Sequence, residues 1–179
     1  MMFGIEIADT KKPEIRTMVV YSFGDTSHVN QSARIKELNL RKNSKGELIA
    51  DKIEAYGTIG LGINVIDKQD AAFNNNGIFS LEMIVNGKKV YQHKADKFAF
   101  DESRYINILI DYERYYNKKQ MIQKCFVEPS NKLSIYEHLE KNGYLTIENG
   151  ASYNVKITAK DYKGNSQSIT IPIILETFK

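Results

Sequence analysis

The sequence predicts a mainly β fold: an antiparallel sandwich carrying one helical insertion. Three observations lead there. Most of the chain alternates apolar and polar positions and is rich in β-branched and aromatic side chains, the pattern of strands with one buried face. The alternating runs are separated by turn signals, of which Asn86-Gly87 is the strongest, because both central residues of a tight hairpin turn need positive φ. One region, about residues 101–142, breaks the rhythm with apolar residues three and four apart, the spacing of a helix face.

Taken in order, "IRTMVVYSF" (Ile15–Phe23) reads as a strand. "RIKELNL", a turn at "KNSKGE" and "LIADKIEAYG" read as a hairpin and a further strand. In "TIGLGINVID", Ile59, Leu61, Ile63 and Val65 share one face, and Gly60 and Gly62 on the other predict close approach of another backbone. "GIFSLEMIVNGKKVYQHK" is a hairpin about Asn86-Gly87. In "FDESRYINILIDYERYYNKKQ", Tyr105, Leu109, Tyr112 and Tyr116 recur at helical spacing. Asp101 or Ser103 can cap its start, since a short side-chain oxygen accepts from the free first-turn amides, and Lys118 and Lys119 suit its carboxyl end. Tyr105, Leu109 and Tyr112 are expected against the sheet, with Arg114 and Lys118 exposed. "MIQKCFVEP" reads as extended, and "LSIYEHLEKNG" as a short helix stopped by Gly143. The chain closes on a hairpin around "DYKGN", with Val155, Ile157 and Ala159 facing Ile169, Ile171 and Ile173. No repeat or long linker divides residues 1–179, so a single immunoglobulin-like domain is expected.

Composition excludes several classes of function. The balance of 42% apolar and 26% charged residues is ordinary for a globular chain, and a net charge of +3 is too weak to imply nucleic acid. No run approaches the ~18 apolar residues of a membrane span. The N-terminus lacks the basic start, apolar core and cleavage site of a signal peptide. A single cysteine, Cys125, forbids an internal disulfide.

Catalytic motifs are missing. His28, His93 and His138 have no ligand spacing between them and read as surface or cap residues. Cys125 reads as a buried, inert thiol, since no histidine partner is indicated. Asp111 and Glu113 point apart on a helix and make no acid–base pair. The tyrosines interleaved with Arg104, Arg114, Lys118 and Lys119 could stack on bases, but Asp101, Glu102, Asp111 and Glu113 share the segment and oppose it. Where those tyrosines are not against the sheet, Tyr105, Tyr112, Tyr115, Tyr116 and Arg114 form a candidate surface for docking another domain.

A second candidate arises from topology. If the first strand begins near Asp9, the second ends near Asp67 and the penultimate one ends near Asp161, those ends share a pole. Asp9, Asp67, Asp70, Asp161 and Asn165 would converge there, an oxygen set of the kind that calcium takes. Against an ion stand Lys11, Lys12, Lys68, Lys160 and Lys163, interleaved with the acids and able to neutralise them. Asn and Asp also suit tight turns, so "DKQDAAFNNNG" (Asp67–Gly77) is expected as a structural turn, without a metal.

The stretches "GIFSLEM", "FAFDESRYIN", "IDYERY" and "PSNKLSIY", with the opening "MMFGIEIADTKKPEI" and the closing "AKDYKGNSQ", resemble the non-catalytic C-terminal segment of lysostaphin-type zinc metallopeptidases of Gram-negative bacteria. The resemblance spans nearly the whole chain. It implies an accessory domain of an enzyme that cleaves peptide cross-links in peptidoglycan, one that positions or regulates the enzyme or contacts the wall or a partner. It places zinc only in an upstream peptidase domain. Neither the histidine–aspartate motif nor the later H-x-H of that domain occurs here, so no catalytic residue carries over and this chain is expected not to be an enzyme. A periplasmic or cell-envelope location, with the signal upstream, follows as an expectation. The alternative is an autonomous glycan- or protein-binding β-sandwich module of the envelope.

Overall fold

Alternation over fourteen residues makes one strand, Ile53–Ile66, the spine of the molecule. The computed structural model describes residues 8–32, 35–70, 74–97, 99–148 and 151–175. Residues 1–7 of the quoted N-terminal passage and 71–73 of the "DKQDAAFNNNG" loop lie outside that set. In chain order the strands are β1 (Glu14–Val29), β2 (Lys36–Leu38), β3 (Leu40–Lys42), β4 (Leu48–Ala50), β5 (Ile53–Ile66), β6 (Ser80–Val85), β7 (Lys88–Lys94), β8 (Gln123–Lys124), β9 (Tyr136–Leu139), β10 (Leu145–Ile147), β11 (Ser152–Lys160) and β12 (Ser166–Leu175). Between β7 and β8 lie a 3-10 turn (Phe100–Tyr105), α1 (Ile106–Leu109) and α2 (Tyr112–Lys118).

The chain is mainly β, built on one curled sheet whose main path runs β2-β1-β5-β12-β11-β6-β7-β9. The sheet is mixed rather than purely antiparallel. β12 runs parallel to the start of β5 (Ile173 opposite Ile53) and parallel to β4 (Ile169 opposite Leu48). β5 lies between β1 and β12: one edge pairs antiparallel with β1 from Ala55 to Ile66 (Val20 opposite Leu61), and the start of the other edge pairs parallel with β12. β1 stays beside β5 on both sides of Gly57 (Val29 opposite Ala55, Phe23 opposite Thr58), while the other edge of β5 passes from β12 to β10, whose Ile147 lies opposite Gly57. The φ of 77° there suits glycine, and a Cβ would overlap Ser27 Oγ. Opposite it β1 bulges between Phe23 and His28, and the Ser27 hydroxyl accepts from the Thr58 amide at 2.9 Å.

Both expected hairpins form. Asn86 (φ 49°) and Gly87 (φ 83°) turn β6 into β7, and β11 pairs with β12 across the "DYKGN" turn. Ile59, Leu61, Ile63 and Val65 enter the main core with Met18, Val20, Leu81, Met83, Tyr91, Ile157 and Ile171. On the opposite face of β1 and β5, Val19 and Tyr21 pack with Ile122 and Phe126. Gly60 and Gly62 make that possible, but what approaches them is side chain rather than backbone. A Cβ on Gly60 would lie 2.5 Å from the Phe126 ring, and one on Gly62 2.7 Å from Ile122.

The insertion departs from the expected continuous helix. Ile110 is extended (φ −97°, ψ 158°) and bridges to Gln123, which separates α1 from α2. Asp111 then caps α2: one carboxylate oxygen accepts from the Arg114 amide at 3.0 Å and the other from the Tyr21 hydroxyl at 2.9 Å. Tying the segment to the sheet outweighs the hydrogen bonds of one helical turn. Ala99, without a side-chain cap, stands where Asp101 or Ser103 was expected to cap. The segment expected as a second helix is β9 followed by a 3-10 turn, Lys141–Gly143, because Tyr136–Leu139 pairs with the open edge of β7. Leu109 is buried as expected, but against Leu133 and Ile135 of the segment before β9 instead of the main sheet. Tyr112 is not against the sheet but 52% exposed, because the break rotates α2 away from α1. Arg114, expected exposed, is instead folded in, donating to Gln120 at 2.8 Å and to the Glu37 carboxylate.

Candidate functional site

Two sites expected from the sequence take definite form. The first is the acid pole. β1 starts beside the end of β5 (Glu14 opposite Ile66), and Lys160, the last residue of β11, lies opposite Ser80 at the start of β6. Asp67 and Asp161, just past those strand ends, meet Asp9 of the segment entering β1, one carboxylate oxygen from each lying within 4.8 Å of the others. Asp67 is 5% exposed and Asp161 2%. Asp161 is well served: its carboxylate accepts from the Asn165 backbone amide at 2.8 Å and from Asn165 Nδ2 at 2.7 Å. The same Asn165 Nδ2 donates to the Asp9 carbonyl at 3.0 Å, so Asn165 belongs to the site. By contrast, Oδ1 of Asp9 and Oδ1 of Asp67 are buried with no donor.

Asp70 stands apart. Its carboxylate accepts from the Thr10 amide and hydroxyl at 3.1 and 2.9 Å, pinning the entering chain instead of joining the triad. Of the five lysines expected to neutralise the acids, two are seen engaged elsewhere. Lys11 donates to the Gln69 carbonyl and Lys68 pairs with Glu14. Among the described residues no lysine or arginine forms an ion pair with Asp9, Asp67 or Asp161. Burial pushes the Asp67 carboxyl above its ordinary range, and the charges of Asp9 and Asp161 push it further. Like charges at ~4 Å repel by roughly 4 kcal/mol at an effective dielectric near 20. A cavity of about 320 Å³ opens beside the acids, lined also by Gln69, Asn76 and Tyr162. The turn itself is real: Asp67 and Asn76 exchange backbone hydrogen bonds at 2.9 and 2.8 Å.

The second site is α2. Tyr112, Tyr115 and Tyr116 are 52%, 42% and 68% exposed, with the Lys119 ammonium near the Tyr115 and Tyr116 rings. Tyr105 and Arg114 do not join them. Tyr105 packs against the Leu109 cluster, and Arg114 is held beneath α2. The docking candidate thus contracts to three tyrosines.

Other titratable groups are structural. Cys125 is buried, its amide donating to the Leu61 carbonyl, and burial pushes the thiol far above its usual range, which suits no nucleophile. His93 corrects the expectation of a surface or cap histidine: it is 1% exposed. It sits in a one-way chain in which Gln123 Nε2 donates to His93 Nε2, His93 Nδ1 to the Tyr91 hydroxyl, and that hydroxyl to the Lys124 carbonyl. Burial lowers its pKa to about 4. Sequence reasoning missed this chain; the one available signal was the spacing of Tyr91 and His93 by two along a strand.

No helix among the described residues is long and apolar enough to cross a membrane. Comparison with known proteins found no matching family model, curated protein or solved structure.

Proposed function

We propose that this chain is a non-catalytic accessory domain of a cell-wall zinc metallopeptidase, acting in the periplasm or cell envelope and docking through α2 onto the peptidase domain encoded upstream. The observation that carries it is the tyrosine face of α2. Three large rings stand exposed on a segment held to the sheet by Asp111, Tyr21 and Arg114, a rigid aromatic platform of the kind that anchors interfaces. The sequence resemblance supplies the partner. The immunoglobulin-like relationship is part of the same proposal; it is supported by the closing β11–β12 hairpin and by one core shared by β1, β5, β6, β11 and β12.

In this reading zinc belongs to the upstream domain. The isolated chain should hold no stoichiometric zinc at neutral pH and release no muropeptides, because the histidine set that zinc needs is missing from it. Elemental analysis and a peptidoglycan digest check this; one zinc per chain, or muropeptide release, refutes it. The same tyrosines also suit a glycan face, which favours the second reading, an autonomous binding module of the envelope. The reading frame upstream of Met1 separates the two, since only the first requires a peptidase there.

A further inference from the structure

We propose that Asp9, Asp67 and Asp161 form a calcium-binding site. Three acids close together would not justify this alone. The second observation is the state of Asp67: a carboxylate on a residue 5% exposed, with Oδ1 buried and without a donor. Asp9 Oδ1 is buried and undonated beside it. Buried polar atoms in folded proteins are almost always satisfied, and a pair of bare carboxylate oxygens facing a third acid calls for a positive partner. Among the described residues no lysine or arginine forms an ion pair with these acids, and Lys11 and Lys68 are engaged with Gln69 and Glu14.

The chemistry selects the ion. The donors are oxygen only, with no histidine or cysteine in the cluster, which favours a hard cation over zinc. Calcium takes its oxygens at about 2.3–2.6 Å, so oxygens on opposite sides of the ion lie at most roughly 4.6–5.2 Å apart. The three acids offer oxygens within 4.8 Å of one another, inside that shell. Magnesium demands a strict octahedron, sheds its waters reluctantly and usually takes only one or two carboxylates, so three carboxylates on one ion favour calcium. Calcium wants six to eight oxygens, and the cavity lined by Gln69 and Asn76 leaves room for side-chain oxygens and water to complete the set. Asn165 preorganises one side by holding Asp161 and the Asp9 carbonyl together. The ligands come from the segment entering β1 and from the ends of β5 and β11, so the ion would clamp the entering chain to the sheet. This site stands independently of the accessory-domain reading.

The test uses the full chain, stripped with chelator and titrated with calcium chloride at neutral pH by calorimetry and by thermal melting. One site per chain is expected, with the melting temperature rising by roughly 5–10 °C at ~100 times the dissociation constant. Asp70→Asn should keep the response, because Asp70 lies outside the triad, and Asp67→Asn should abolish it. Should Asp67→Asn not fold, terbium luminescence on the unaltered chain decides: Tyr162 lines the cavity and should sensitise the ion, and calcium should quench the signal by displacing it. Absence of heat and shift up to millimolar calcium overturns the proposal. So does an equal response in Asp67→Asn, a response to magnesium alone, or stabilisation by lowered pH with none by calcium, which would mean that the acids share a proton instead.

Discussion

His93 shows how one side chain couples this fold to pH. Its imidazole is neutral in the folded protein, with a pKa near 4 because of burial, whereas an exposed histidine titrates near 6.5. Between those values the unfolded chain binds the proton and the folded one does not, so this contribution is complete above about pH 6.5 and is lost as pH falls towards 4. The loss from pH 7.5 to pH 5 should be on the order of 2 kcal/mol. Carboxylates titrate over part of that range too, so urea unfolding of the natural chain is compared with His93→Gln. The variant should show a flatter slope from pH 7.5 to 5; parallel slopes would mean that the imidazole is not buried neutral. Gly60 gives a second prediction at this scale. Gly60→Ala places a Cβ 2.5 Å from the Phe126 ring and should destabilise by about 1–3 kcal/mol through overpacking, readable in denaturant melts. The alternation of Gly60 and Gly62 with large apolar residues made the close approach legible in the sequence. That Phe126 and Ile122 would fill the gap was not, because they arrive from some sixty residues further along the chain.

At the scale of elements, strands and hairpins were legible because alternation and turn chemistry are local. Asn86-Gly87 and "DYKGN" specify their turns within a few residues, and the structure keeps both. The insertion was read less well. Its helical spacing is present, but Asp111 finds Tyr21 and the Arg114 amide, partners invisible to periodicity, and the helix divides at Ile110. That division sends Leu109 inward and Tyr112 outward. Leu109→Ala should therefore cost about 2 kcal/mol, the lower end for a buried leucine in a small cluster. Tyr116→Ala, at 68% exposure, should stay within about 0.5 kcal/mol. Chemical denaturation of both variants checks the pair. A reversal would put the α2 tyrosines against the sheet.

For the whole molecule, the convergence of Asp9, Asp67 and Asp161 was legible because it needed only the directions of three strand ends. The mixed sheet was not, since the parallel contacts of β12 with β4 and the start of β5 join segments more than a hundred residues apart. The exclusion of Asp70 and the redirection of Lys11 and Lys68 were illegible too: each depends on local hydrogen bonding at the pole. Three of the exposed large rings cluster on α2, on a platform fixed by Asp111 and Arg114, and the central proposal is that this face docks a peptidase domain encoded upstream. The direct measurement is calorimetric titration of this chain against the separately produced peptidase domain that the proposal places upstream of it. Saturable association is predicted, weakened at least tenfold by Tyr112→Ala/Tyr115→Ala/Tyr116→Ala, a loss of about 1.4 kcal/mol or more, while the melting temperature of the variant stays unchanged. No association, or an affinity indifferent to the three substitutions, would contradict the claim.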